Sequence, residues 1–536
     1  MKKNIRQVVA AVIEKDGKVL VARRKPGLVA GGMWEFPGGK VEEGEPAEKC
    51  LERELMEELG VRSQVGALLC SVPFTGTLTA FELLVFRTEL LSDSFTLIDH
   101  DEVCWQAPGD MDEALFSTPD RPVVLMLAGL PSSSRPASFR AGRAGESGVN
   151  AVVLKPGRDK AVRNRHHWIF SGAIRDLPEF ENGAVLPVRG SGGDLLGHGY
   201  FNRKSSITGR MVSFGSQPPE EGIRSSIERA LALRAGLFDP SVTNARRLIN
   251  AEGDGLPGLI ADLYDDVLVL QFATLGMEKL KPFILDTLTG SVRPRAVLEK
   301  SDLPARREEG LAETEGLLAG ERVDKIRIIE GGIPYWVSFA QGQKTGFYLD
   351  QRESRRLVRD FAAGRRILNA FSYTGAFSVC ALKGGAARAD SVDSSASAIA
   401  LARENFELNG LPADSGVFFT ADVFEFLRGP ALDHDFIILD PPAFAKKKAD
   451  VVAACRGYKD INRLAFQRVR SPGLVLTFSC SHHVDEGLFQ QVVFQAALEA
   501  GRRVRIIQRH RQACDHPVNI YHPETSYLKG FLLYVD

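Results

Sequence analysis

Residues 131–148, PSSSRPASFRAGRAGESG, carry one large apolar side chain, Phe139, among Ser, Gly, Arg, Ala and Pro. Such a stretch cannot enter a hydrophobic core and reads as a flexible linker. It separates residues 1–130 from a longer piece that begins at 149, and a chain of 536 residues asks for about three or four domains. With 44% apolar and 25% charged residues, each piece can bury its own core. The net charge of −1 gives no global pull toward nucleic acid, so any RNA-binding face must be a local basic patch offset by acid elsewhere. Seven cysteines without paired CxxC spacing suit a reducing cytoplasm better than a disulfide framework or a zinc site. The opening MKKNIRQVVAAVIEKDG turns charged after about seven apolar positions and lacks a small-residue cleavage site, so it reads as a first strand, not a targeting segment. A cytoplasmic protein with no membrane partner is expected.

In the first piece, VVAAVIEKDGKVLVARR gives two strands around an Asp-Gly turn, and FELLVFRTEL supplies a later strand. Between them, Ala47–Leu59 holds no helix breaker, which puts Glu54, Glu57 and Glu58 at i, i+3 and i+4 on one helical face. Three like charges there repel unless hard divalent cations sit among the oxygens. A solvated acidic face is the plain alternative, but glycines at both ends, Pro46 at the helix start and Arg53 in register make it the weaker one.

Gly39, Glu45, Arg53, Glu54, Leu55, Glu57, Glu58, Gly60 and Val61 together resemble the Nudix signature. The resemblance implies an α/β/α sandwich that cleaves nucleoside diphosphates linked to other groups. It also implies Mg²⁺ (or Mn²⁺) held by Gly39, Glu54, Glu57 and Glu58, with Arg53 in the catalytic set. The run from Lys25 to Gly39 resembles the mutator-type triphosphate pyrophosphatases, and Ser117–Leu127 resembles the segment that reads the base in them and in the cytidine triphosphate branch. A nucleoside triphosphate substrate facing Arg23, Phe36 and Asp120 is expected. Asp120 stands where the mutator type has Asn and the cytidine branch Asp. An ionised Asp accepts from cytosine's amino group, a protonated one could read an oxidised purine, and a third reading makes it a helix cap.

Beyond the linker, 149–225 shows short apolar runs broken by Gly, the pattern of a small β-barrel. Residues 226–340 mix helices and strands, and 341–536 alternate apolar strands with amphipathic helices, as in a parallel doubly wound sheet. In RRILNAFSYTGAFSVCALKGG a buried strand runs into a small-residue turn at Thr374 and Gly375 and then a helix, so a cofactor could approach the backbone. Asp393 closes the next strand, where an acid can bond ribose hydroxyls, and Asp422 follows the third, where it could accept from an adenine amino group. These features alone also describe nicotinamide-binding domains. Asp440-Pro441-Pro442 and Cys480 then close two further strands, at the edge where such sheets bind ligands.

With TGFYLDQRESR, NAFSYTGAFS, VDSSASAIALARENFELNG, DPPAFAKKK, ACRGYKDINRLA, LTFSCS and QACDHPVNIYHPETSYLKGF, residues 149–536 resemble the ribosomal RNA large-subunit methyltransferase I family nearly throughout. The resemblance implies S-adenosylmethionine-dependent formation of 5-methylcytosine in large-subunit rRNA, a PUA domain at 149–225, a central connecting α/β domain at 226–340 and a class I Rossmann-like methyltransferase at 341–536. Asn369, Phe371, Tyr373, Thr374, Gly375, Asp393, Asp422 and Asp440 are the expected cofactor-binding set. Carbon 5 of cytosine is a poor nucleophile, so a thiolate adds at carbon 6 and lets carbon 5 attack the sulfonium methyl group. Cys480 is the expected nucleophile, with Asp440 holding the cytosine edge.

Two departures bear on this. Many RNA 5-methylcytosine enzymes have a second cysteine after the Pro-Pro pair, where this chain has Ala443, so the base for the carbon-5 proton is open between Cys455 and Asp440. The family's Arg-His-Pro-Trp is here Arg165-His166-His167-Trp168, and the two histidines are expected to touch RNA phosphates or solvent. Arg158, Lys160, Arg163, Arg165 and Trp168, with Lys446 to Lys448, form the expected RNA track. The whole is read as an α/β multidomain enzyme joining a Nudix pyrophosphatase to an rRNA cytosine-C5 methyltransferase, with a homodimer left open. The rivals are a methyltransferase of DNA cytosine or an amino group, against which Ala443 and Cys480 argue, and a non-catalytic ribosome-assembly factor, which would need none of Glu54, Glu57, Glu58 and Cys480.

Overall fold

The computed structural model describes residues 6–25, 32–42, 44–75, 80–92, 94–111, 116–117, 119–127, 151–340, 342, 344–445 and 447–536. The linker lies outside these residues. The chain falls into two compact units, Met1–Arg135 and Pro136–Asp536.

In the first unit the strands Arg6–Lys15 and Lys18–Arg24 pair antiparallel, and Arg6–Lys15 pairs parallel with Ala80–Leu90. The turn between the first two strands places Asp16 at φ 51° and Gly17 at φ 74°, the left-handed pair that a tight hairpin needs. Period-2 alternation decides the layers. Val9, Ala11 and Ile13 bury against Leu51, Leu55 and Leu59 of the helix Ala47–Leu59 on one face, while Ala10 and Val12 meet Val123 and Val124 of the helix Arg121–Leu127 on the other. The result is an α/β/α sandwich.

The second unit opens with six short strands between Val152 and Phe214 in the order 168–169, 209–214, 195–201, 185–189, 152–154, 174–176. All six contribute to one core, including Val152, Ile169, Ile174, Val188, Phe201 and Met211, so the sheet curls round it. Next comes a five-stranded sheet, 245–250 to 314–320, whose one face carries the helices Pro219–Leu237 and Leu275–Val292. Its other face packs Tyr264, Val267 and Val269 against the hairpin 325–338 and against Val379, Cys380 and Phe406. A single core therefore runs across position 340.

The last sheet has the order 418–420, 388–393, 366–370, 436–439, 473–479, 529–535, 504–510. Its first five strands are parallel, and 529–535 runs antiparallel to both neighbours. Strand order reverses beside 366–370, so the turn after Ala370 and the loop after Leu439 open together at the carboxyl edge, the place where doubly wound sheets bind ligands.

Candidate active sites

The helix Ala47–Leu59 ends on Gly60 at φ 69° and presents its carboxylates around Arg53. The Arg53 guanidinium donates to both oxygens of Glu45, at 3.0 and 3.1 Å, and to Glu57 at 3.0 Å, and lies 3.0 Å from Glu54. This pairing holds Glu45 well below the usual carboxylate range. Glu54 and Glu58 behave oppositely. Burial raises the Glu54 carboxyl and pushes Glu58 up to about 7, and Glu58 Oε2 is buried without a hydrogen-bond partner. Gly39 explains its own identity: a Cβ there would lie 2.1 Å from the Glu54 carboxyl carbon. A half-buried Glu54 and a buried Glu58 with an unpartnered oxygen fit a hard divalent cation, whose charge would favour the ionised form of both.

The three expected substrate contacts divide. Asp120 is buried, accepts from Ser117 Oγ and rises to about 7, chiefly through burial; the Phe36 backbone amide acts on it in the opposite sense. It is no side-chain cap, since its backbone carbonyl, rather than its carboxylate, accepts the Val123 and Val124 amides. Phe36 is itself in the core, its ring centroid 5.7 Å from that of Phe116. Arg23 is committed to Asp101 and Glu102, at 2.9 and 3.0 Å. Sequence reasoning missed Glu35, which accepts from Arg24 and contacts the fully buried His100 at 2.8 Å. A polar residue beside an apolar Trp-Phe pair gave no signal of that pairing.

In the second unit, the strand Arg366–Ala370 leads into a turn with Phe371 at φ 60°, Tyr373 at φ 46° and Gly375 at φ 74°. Two non-glycine residues in left-handed backbone mark a strained, over-determined loop. Asp393 fastens it, one oxygen accepting from the Tyr373 amide and the other from the Ser395 amide, each at 2.9 Å. Thr374 Oγ1 is buried without a partner. Asn369 lies beneath the turn, its amide donating to Ser378 Oγ, and Asp422 caps the helix Val423–Arg428 through the Glu425 amide.

Asp440 and Cys480 sit at the ends of adjacent parallel strands, with the Cys480 thiol 3.9 Å from the Pro441 carbonyl. Ser481 Oγ joins the two loops, accepting from the Ala445 amide and contacting Tyr458 Oη at 2.9 Å. Burial, followed by the nearby Asp350, pushes Asp440 up to about 7, and its Oδ1 accepts from Gln351. Burial and then Asp440 push the Cys480 thiol up to about 11. Asp350 in turn accepts from Tyr527 Oη at 2.7 Å and pairs with Lys344 at 3.1 Å. Gln351, Asp350, Lys344 and Tyr527 were not singled out from sequence; their runs were visible, but nothing showed which side chains face the site. Cys455 packs on the other side. Along 473–479 the even residues Leu474, Leu476 and Phe478 share Cys480's face, whereas Cys455 packs with Val475 on the opposite face.

On the curled sheet, Arg158 and Trp168 line a cleft of about 430 Å³ together with His166, Phe170 and Glu524. Arg158, Lys160 and Arg165 are exposed, Arg163 is paired with Asp159 and Asp194, and Trp168 donates to Glu252. Lys447 and Lys448 are exposed, and Lys446 lies outside the described residues. The expectation is corrected for His167, while His166 is half-buried and lines the cleft. His167 is buried with Nδ1 2.9 Å from the Met211 carbonyl, and His166 stacks on His522 at 4.1 Å between ring centroids. Proline is thus replaced by a residue that finds a backbone partner inside. His166, His522 and Glu524 bring ligand-type atoms within 4.8 Å of one another. Because His166 Nδ1 accepts the Trp168 amide, its proton sits on Nε2 and faces Glu524, the wrong tautomer for a metal ligand.

Three family models match the chain: a NUDIX domain over residues 3–127, a PUA-like domain over 152–214 and an S-adenosylmethionine-dependent methyltransferase over 293–502. The ribosomal RNA large subunit methyltransferase I of Alteromonas mediterranea is 43% identical over 390 residues, which are 71% of this chain and 98% of that protein. The chain belongs to this methyltransferase family. Its counterpart in Photobacterium profundum is 42% identical over 395 residues, 72% of this chain and all of that one. A methyltransferase from Streptococcus mutans, 24% identical with a TM-score of 0.62 over 72% of this chain and 99% of its own, shares the fold. The Escherichia coli ORF135 protein, 31% identical over 25% of this chain and 96% of its own, superposes with a TM-score of 0.22. The protein is an enzyme that carries a methyltransferase and a Nudix hydrolase domain in one chain. Among the described residues no helix is long and apolar enough to cross a membrane.

Proposed function

We propose that the second unit methylates carbon 5 of a cytosine in large-subunit (23S) rRNA, and that the first is a Mg²⁺-dependent nucleoside triphosphate pyrophosphohydrolase. The methyltransferase reading rests on one observation above others: Cys480 and Asp440 close adjacent strands at the edge where the Gly375 turn also opens. S-adenosylmethionine, when bound, supplies an electrophilic methyl group. The turn 371–375, Asp393 and Asp422 hold it, with Asn369 supporting the turn from below. Cys480 adds through its thiolate to carbon 6 of the base, and carbon 5 becomes nucleophilic. Asp440, whose carboxyl burial pushes up to about 7, bonds the cytosine edge and then takes the carbon-5 proton, because Cys455 packs on the opposite face of the strand that leads to Cys480. Elimination of the thiol restores the aromatic ring.

The curled sheet holds RNA through Arg158, Lys160, Arg165, Trp168 and the lysines after the Pro-Pro loop. The proposed division is 1–130 for hydrolysis, 149–225 for RNA, 226–340 connecting and 341–536 for methyl transfer, the last two sharing a core across position 340, with 131–148 outside the described residues. A cytoplasmic location follows from an rRNA substrate. In the Nudix unit Glu54, Glu57, Glu58 and Gly39 hold the cation, Arg53 orients the carboxylates, and Asp120 reads the base.

The test is methyl transfer from labelled S-adenosylmethionine to deproteinised large-subunit RNA, followed by bisulfite mapping. One protected cytosine that disappears with Cys480→Ala supports the reading, and label on an adenine or guanine overturns it. For the other unit, pyrophosphate release from nucleoside triphosphates that needs divalent metal supports it, and full turnover in a chelator overturns it.

A further inference from the structure

Cys480 stands where an ionised thiol is disfavoured, half-buried and beside Asp440. A nucleophile that must ionise near neutrality needs a compensating cation. Two ammonium groups act on it. Lys344 lies 3.1 Å from Asp350, so its charge is largely matched.

Lys529 is placed differently. It pairs with Ser479 in the antiparallel register of 529–535 on 473–479, one residue before the cysteine. Its side chain then runs alongside, and Nζ donates to the Ser481 carbonyl, one residue after the cysteine, at 2.7 Å and to the Tyr527 carbonyl at 2.8 Å. The residue is 7% exposed, and among the described residues no carboxylate lies within ion-pairing distance. An ammonium has three donors, and two are spent on backbone carbonyls, one of them that of Ser481, the residue after Cys480. A buried cation without an anionic partner is costly unless an anion forms beside it during the work of the protein. We propose that Lys529 is the positioning residue that sets the acidity of Cys480, its pinned ammonium stabilising the thiolate as it forms. The thiol proton goes to solvent, and Lys529 keeps its own three protons. Burial brings the Lys529 ammonium down to about 8, and Cys480 acts on it in the opposite sense, as mutual coupling requires.

The proposal deepens the reading of Cys480 as nucleophile, and its test does not depend on methylation. In the full chain, iodoacetamide alkylation of Cys480 is followed by peptide mass spectrometry as a function of pH for wild type, Lys529→Met and Lys529→Arg. Loss of the charge should move the thiol titration up by about one unit or more, so alkylation at pH 8 falls about tenfold while the rate at high pH is kept. Arg should restore most of the wild-type profile, which a merely structural strap would not require. Coincident wild-type and Met profiles overturn the proposal. If Lys529→Met does not fold, Lys529→Gln supplies the second neutral variant: its alkylation profile should move up in the same way, and a profile coincident with wild type overturns the assignment. Should Cys480→Ala methylate RNA, the nucleophile reading fails while the alkylation profiles still decide the role of Lys529.

Discussion

Gly39→Ala isolates the position of one carboxylate without touching any charge. The nearest atom to a Cβ at this position is the Glu54 carboxyl carbon at 2.1 Å, with the two oxygens at 2.3 and 2.5 Å. Ordinary contact begins at 3.4 Å, so the carboxylate must retreat by about 1.3 Å. Metal–oxygen bonds tolerate about 0.2 Å, and a misplacement of about 1 Å in a reacting geometry costs roughly 10²-fold. Arg53, 3.0 Å from Glu54, gives the displaced side chain an ion-pair partner off the cation site, which favours retreat over strain in the backbone. Mg²⁺-dependent pyrophosphate release should therefore fall by about 10²-fold, with Mg²⁺ or Mn²⁺ affinity weakened about tenfold or more in a calorimetric titration. The helix packing through Leu51, Leu55 and Leu59 is untouched, so the unfolding midpoint of this unit should move little. Wild-type turnover and metal affinity in a folded Gly39→Ala protein would refute the placement of Glu54 at the cation.

Asp120→Asn should shift base preference among nucleoside triphosphates more than overall rate, and an unchanged substrate profile would assign Asp120 to structure alone. Glu58 carries a pH signature. Its carboxyl is raised from 4.5 to about 7 by burial, so the folded unit holds its proton longer than the unfolded chain and metal-free stability should fall as pH rises from about 4.5 through 7. The loss amounts to about 3 kcal/mol by urea denaturation in chelator, should be absent in Glu58→Gln, and should be offset by Mg²⁺ above pH 7. A flat profile would contradict the burial argument. Ser481→Ala cuts the tie between the Pro-Pro loop and the cysteine loop, and is expected to lower methylation about tenfold while S-adenosylmethionine binding by calorimetry persists. Loss of that binding would show that the tie shapes the cofactor turn instead.

Local chemistry made most of the fold legible. Asp16 and Gly17 announced a hairpin because few residues accept positive φ, and the spacing of Glu54, Glu57 and Glu58 placed three carboxylates on one helix before any coordinates. Asp440 and Cys480 could be set at one sheet edge because each follows an apolar strand. What remained hidden depends on long-range packing. No periodicity in 325–338 tells that this hairpin extends a core shared by Val267 and Cys380, so a boundary at 340 looked natural. His522 lies more than 350 residues from His166, and no local pattern announced their stacking. Gln351 and Lys529 lay in quoted runs, yet the direction of a side chain is settled by register, which a single sequence does not print.

The central claim is that Cys480 attacks carbon 6 of a cytosine in RNA. Large-subunit RNA carrying 5-fluorocytosine, incubated with the full protein and S-adenosylmethionine, traps the base after methyl transfer, because fluorine cannot leave as a proton does. The account predicts a denaturant-stable protein–RNA adduct that maps by mass spectrometry to the peptide containing Cys480 and is lost in Cys480→Ala. An adduct on any other residue, or full methylation of ordinary RNA by Cys480→Ala, would contradict it.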